Sequence, residues 1–136
     1  MKLIVHTDGG ARGNPGPAAI GVLVEGNGKT LASFGKRIGE TTNNVAEYTA
    51  VVEALKHIKK ESDKVFQINF FLDSRLVVEQ LNGRFKVKEP KLRELLAQVR
   101  ILEQEVGSVI HYQLVPREQN TRADFLVNQA LDGLMS

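Results

Sequence analysis

The sequence predicts one α/β domain, mixed in the α+β sense: a five-stranded sheet flanked by helices. Three observations carry that expectation. Strand-like and helix-like segments follow one another in the order β-β-β-α-β-α-α-β-α. The chain has 136 residues, 42% hydrophobic and 25% charged, which suits a single domain with a buried core. No repeat, low-complexity tract or long linker divides residues 1–136.

The first strand is expected over residues 2–8. Its Leu3-Ile4-Val5 run is too apolar for a strand with one wet face, so it is placed centrally in the sheet. Residues 9–17 are dense in turn formers. Strands over 18–25 and 30–38 flank Gly26-Asn27-Gly28, a hairpin turn signal, so the first three strands form an antiparallel meander. Thr41-Thr42-Asn43-Asn44 offers caps for a helix over 44–60, whose Val45, Tyr48, Val52 and Leu55 follow helical spacing. A fourth strand over 65–72 shows Phe66, Ile68, Phe70 and Leu72 on one apolar face. Ser74 caps a short helix reaching Leu81, and a loop over 83–90 leads into a long amphipathic helix over 91–106. A fifth strand covers 109–115, and a last helix runs from Asn120 to Leu134.

Composition removes several function classes. The chain has no cysteine, which excludes a disulfide scaffold, a cysteine-ligated zinc site and a cysteine nucleophile. No apolar run approaches the roughly 18 residues of a membrane span, and the first residues read as a strand rather than a signal peptide. The expectation is a soluble, cytoplasmic protein with no membrane partner. Lysine and arginine number 18 against 16 aspartates and glutamates, a formal charge of only +2, so a nucleic-acid partner must be argued from where charges sit.

Four acids stand out by position. Asp8 and Asp73 end strands, where ligands gather in open α/β sheets, and they meet if those strands are neighbours. Glu47 falls on the mostly apolar row Val51, Ala54, Ile58, and Asp124 precedes Val127 and Leu131 by three and seven positions. An acid on an apolar face is costly unless something pairs with it, and a divalent cation is one such partner. Taken singly, each acid reads more readily as a turn former, a cap or a surface group, and none is persuasive as a ligand.

The words around these acids change the weighing. His6-Thr7-Asp8-Gly9-Gly10-Ala11-Arg12-Gly13-Asn14-Pro15-Gly16-Pro17 closely resembles the opening motif of type 1 ribonuclease H. Thr41-Thr42-Asn43-Asn44-Val45-Ala46-Glu47-Tyr48 resembles that family's second motif, and Leu72-Asp73-Ser74 its third. Pro116-Arg117-Glu118-Gln119-Asn120 with Ala123-Asp124 resembles the fourth, in the form of short archaeal and bacterial members. The motifs keep the family's order and cover nearly the whole chain.

The resemblance implies the family's five-stranded mixed sheet and its reaction, endonucleolytic hydrolysis of the RNA strand of an RNA–DNA hybrid. It gives Asp8, Glu47, Asp73 and Asp124 the catalytic, metal-ligating positions for two Mg²⁺ ions, with Mn²⁺ as a substitute. Two such ions about 3.5–4 Å apart activate a water and stabilise a leaving oxygen, and hard Mg²⁺ prefers oxygen ligands. Asp8 is expected to bridge them. Gly9, Gly10, Asn14, Thr42, Asn43, Asn44 and Arg75 take substrate-facing positions, suited to reading the 2′-hydroxyls that set a hybrid apart from duplex DNA. Double-stranded RNA is left open as a second substrate, and the family implies a monomer. Arg84, Lys86, Lys88 and Lys91 surround Phe85 in a basic cluster able to meet phosphates.

The chain departs from many bacterial members in three respects. The segment after the third motif, Gly83–Pro90, is short and there is no tryptophan. The loop 116–122 has no histidine, so Glu118 is the nearest group to act on a water there. Arg75 stands where many relatives carry glutamine. These departures leave a second reading in view, a nucleic-acid-binding module on the same fold with weak or no catalysis. A proofreading-type exonuclease is disfavoured, because Asp8 opens no Asp-x-Glu pair.

Overall fold

The structure is a computed structural model that describes residues 1–61 and 64–133. Strands β1 (Lys2–Ala11), β2 (Gly16–Gly26) and β3 (Lys29–Thr41) form an antiparallel meander. Asn27 and Gly28 turn the β2–β3 hairpin with φ of 53° and 73°, the left-handed pair that matches the twist of a two-residue loop. Helix α1 (Asn43–Lys60) follows, then β4 (Gln67–Leu72), α2 (Arg75–Leu81), α3 (Pro90–Val106), β5 (Val109–Leu114), a 3-10 turn at Arg117–Gln119, and α4 (Thr121–Leu131).

The five strands lie in the order β3-β2-β1-β4-β5, with β4 parallel to both β1 and β5. This is the mixed sheet the sequence predicts, with β1 at its centre. One face carries the main core: Leu3, Val5, Ile20, Val22, Ile68, Phe70 and Leu72 pack with Tyr48, Val51 and Leu55 of α1. Each such burial is worth about 1.5–3 kcal/mol before entropy is set against it. Helix α3 extends the layer through Leu92, Leu95, Val99 and Leu102. The other face is covered by α4, where Val127 and Ala130 meet Ala19.

Several boundaries differ from expectation, each for a physical reason. Strand β1 continues past Asp8 to Ala11, because Gly9, Gly10 and Ala11 pair with Ile20, Ala19 and Ala18. The glycine run that reads as a turn is held extended by its antiparallel partner. Asp8 therefore does not end a strand; it lies two residues beyond the last β1–β4 pair, His6 with Phe71. Phe66 precedes β4 and is 62% exposed, so the buried face of that strand is Ile68, Phe70 and Leu72. Ile4 is 40% exposed, because α4 covers only part of the second face. Helix α3 begins on Pro90, whose missing N–H costs nothing at a first helical position. Helix α4 ends at Leu131, short of the expected Leu134, which lies outside the described residues.

Candidate active site

The site forms where β1 and β4 part. Beyond His6, β1 has no β4 partner, and the Gly9 N–H instead donates to Glu47 Oε1 at 2.7 Å. Glu47 reaches that point because α1 lies directly on the strand. A Cβ at Gly9 would sit 2.3 Å from the Ala46 carbonyl carbon, so only glycine permits the approach. The same device operates on the other face. A Cβ at Gly21, the β2 partner of Asp8, would lie 2.2 Å from the Ala123 carbonyl oxygen of α4. Two glycines thus let the helices that carry Glu47 and Asp124 close on the strand pair that carries Asp8.

Asp73 follows β4 directly and is half-buried, while Ser74 caps α2 by accepting from the Val77 N–H at 3.4 Å. Asp8, Glu47 and Asp73 each present a carboxylate oxygen, and the three oxygens lie within 4.8 Å of one another. Asp124, in the first turn of α4, stands outside that trio but lines the same cleft of about 400 Å³. It is near enough to raise the pKa of Asp8. The cleft is also lined by Gly9, Gly10, Asn43 and Asn44 among the expected substrate-facing residues.

The electrostatics follow from burial. Glu47 is pushed well above the ordinary carboxylate range, first by desolvation and then by Asp8. Asp8 is pushed up to about 7, again first by burial, with Asp73 and Asp124 adding repulsion. Glu47 Oε2 is buried and has no hydrogen-bond partner among the described residues. A buried carboxylate oxygen without a donor, beside two more acids, is an arrangement that a hard cation would complete. Asp8, Glu47 and Asp73 therefore can hold a divalent metal ion.

The remaining expected residues divide by what they touch. Asn14 Oδ1 accepts from the Asn43 N–H at 2.9 Å, and Asn43 Oδ1 accepts from the Ala11 N–H at 2.8 Å. These bonds lace the β1–β2 turn to the start of α1 and engage only the carbonyl ends of the two amides. Thr42 caps α1, its Oγ1 accepting from the Val45 N–H at 3.3 Å. Arg75 is exposed at the start of α2, its guanidinium carbon 5.9 Å from the centre of the Phe85 ring. Within the basic cluster, Arg84 is paired with Glu79 at 2.8 Å, and Gln80 anchors the loop by donating to the Lys86 carbonyl at 3.3 Å. Glu118 is exposed in the 3-10 turn and does not line the cleft. Its neighbour Arg117 does, together with Arg12 and Asn128. All three fall within or beside the quoted motifs but received no site role from the sequence, because exposed residues in a loop and on a helix carry no periodic signal.

A family model described as "Reverse transcriptase-like" matches residues 6–130. Ribonuclease HI of Halobacterium salinarum is 46% identical over 137 residues, covering 96% of this chain and 65% of that protein. The "Bifunctional protein Rv2228c" of Mycobacterium tuberculosis is 42% identical over 134 residues, covering 97% of this chain and 36% of its own length. The chain thus spans about a third to two thirds of these curated relatives. The crystal structure of LC11-RNase H1 in complex with RNA/DNA hybrid superposes with a TM-score of 0.91 at 46% identity, covering 98% of this chain and 99% of that one. A five-stranded mixed sheet with acids gathered where β1 leaves β4 defines the ribonuclease H-like class of folds. Within that class, the chain belongs to the type 1 ribonuclease H family.

Proposed function

We propose that this protein is a divalent-cation-dependent endonuclease that hydrolyses the RNA strand of RNA–DNA hybrids. The observation that carries this reading is the convergence of Asp8, Glu47 and Asp73 within 4.8 Å, in an open cleft also lined by Asp124. Helix α1, the ends of two neighbouring strand pairings and the start of α4 each supply one of these acids. Turns and caps alone do not require such a meeting.

Asp8, Glu47, Asp73 and Asp124 would hold Mg²⁺, with Mn²⁺ as a substitute, since both are met by carboxylate oxygen. Bound there, the cation supplies positive charge for the phosphate and makes a water more acidic. The protein's own groups do the rest. The four acids keep the cleft anionic until a cation enters. The rim residues Arg117 and Arg12, the latter with its Nη2 paired to Asp132 at 2.7 Å, offer guanidinium N–H groups to flanking phosphates. The amide ends of Asn14, Asn43 and Asn44, with the backbone of Gly10, suit the 2′-hydroxyls and sugars of an RNA strand. No protein nucleophile is needed.

End-labelled hybrid, duplex RNA and duplex DNA, incubated with Mg²⁺, Mn²⁺ or EDTA, test the reading on a denaturing gel. Internal cuts in the RNA of the hybrid, present with either cation and absent with EDTA, are expected. Shifted but uncut hybrid would overturn the proposal in favour of a binding module. Cuts in duplex RNA would widen the substrate class.

A further inference from the structure

Asn120 begins α4, and its side chain does not do what an asparagine in that place ordinarily does. An N-cap asparagine ordinarily accepts a hydrogen bond from a first-turn N–H of its own helix, which stabilises the helix start. Asn120 makes no such side-chain bond. It is instead turned inward, only 1% exposed, although the turn before it and the two residues after it are exposed. Its Nδ2 donates to the Thr7 carbonyl at 2.9 Å and to Asp73 Oδ2 at 3.2 Å.

The orientation of the amide is decided by these partners. Both are acceptors, so only the NH₂ end can face them; a flipped amide would set oxygen against oxygen twice. Its Oδ1 is buried without a partner among the described residues. Leaving a buried acceptor unpaired costs free energy, so the donor end outweighs both that cost and the forgone cap. One amide group thus touches the β1 residue before Asp8 and the carboxylate of Asp73. It does so from the residue whose carbonyl accepts the Asp124 N–H at 3.1 Å. It joins the three segments that carry those acids.

We infer that Asn120 is the positioning residue of the cation site, fixing Asp73 and the start of α4 against β1 before the cation arrives. The inference rests on the cation site proposed above. Partners of this kind behind a metal ligand, when removed, typically lower metal affinity about 10- to 100-fold.

Calorimetric titration of Mn²⁺ into the metal-free protein, without nucleic acid, tests it. Asn120→Ala is expected to weaken Mn²⁺ binding about 10- to 100-fold. In hybrid cleavage it should lower kcat more than it raises KM, with recovery at high Mn²⁺. Asn120→Ser separates positioning from capping, because serine can cap α4 in the usual way. The serine variant should fold at least as well as the alanine variant and lose the same affinity. Val99→Ala removes core packing in α3 away from the cleft, and should leave affinity within about twofold, as distant sites act independently. Wild-type affinity in Asn120→Ala, full recovery in Asn120→Ser, or an equal loss in Val99→Ala would each overturn the inference while leaving the cation site standing. A wild-type protein that takes up no Mn²⁺ would overturn the cation site and this inference together.

Discussion

Glu47 sits at the bottom of the cleft with one carboxylate oxygen on the Gly9 N–H and the other without a partner among the described residues, and Asp8 presses on it from the strand. In the unfolded chain these carboxyls ionise near pH 4, about the value of free side chains. In the folded metal-free protein they keep their protons to higher pH, Asp8 to about 7, and burial with the neighbouring Asp8 holds Glu47 well above the ordinary carboxylate range. Across that window the folded state binds more protons than the unfolded one, so stability falls as pH rises. Cation uptake should accordingly release protons and tighten with pH over the same range. Asp8→Asn removes one of the crowded acids. At pH 8 without metal it is expected to stabilise by on the order of 1 kcal/mol, about 3–5 °C in melting temperature for a domain of this size, while abolishing cleavage. A lower melting temperature, read by circular dichroism, or substantial residual cleavage would contradict that account. The four acids could be found in the sequence because each stands inside a distinctive word. Asn120 was visible as a helix start and as part of the fourth motif, but its role was not, since nothing in the residues around it shows a side chain turned away from its own helix toward Asp73.

Helices α1 and α4 approach β1 and β2 from opposite faces, and their closeness is set by missing side chains at Gly9 and Gly21. The geometry of the cleft therefore lives in helix-to-strand distance as much as in the acids. Gly9→Ala would drive a methyl into the backbone of α1 at Ala46–Glu47. Overpacking of this kind costs about 1–3 kcal/mol, and more where backbone must move. The expected outcome is a loss of at least about 3 kcal/mol in urea unfolding together with loss of Mn²⁺ binding. A variant as stable and as metal-competent as wild type would show that α1 has room to spare. The order and type of every strand and of the four α-helices could be read from periodicity and caps, because tertiary packing here agrees with local preference. The misjudged places were those where a partner elsewhere in the chain decides. Gly9–Ala11 looks like a turn until β2 pairs with it, and Phe66 looks buried until β4 is seen to begin one residue later.

The molecule as a whole separates its two tasks by face and charge. The side of the sheet packed against α1 and α3 supplies the main core, and the cleft opens where β1, β4, α1 and α4 come together. A formal charge of only +2 conceals an anionic pocket ringed by Arg12 and Arg117, with Arg75 and the loop over 83–90 nearby in sequence to the third motif. A phosphodiester backbone needs cations on its flanks, and a catalytic metal needs acids beneath it, so both signs belong in one site. What periodicity and spacing by themselves left open, and only the motif resemblance implied, was the neighbour relation of β1 and β4, which brings Asp8 and Asp73 together across 64 intervening residues. Diffraction from crystals grown without nucleic acid and soaked in Mn²⁺, recorded for anomalous signal, tests that meeting most directly. The account predicts a Mn²⁺ peak in contact with oxygens of Asp8, Glu47 and Asp73; a well-ordered cleft with no peak there, or manganese bound only elsewhere, would contradict it.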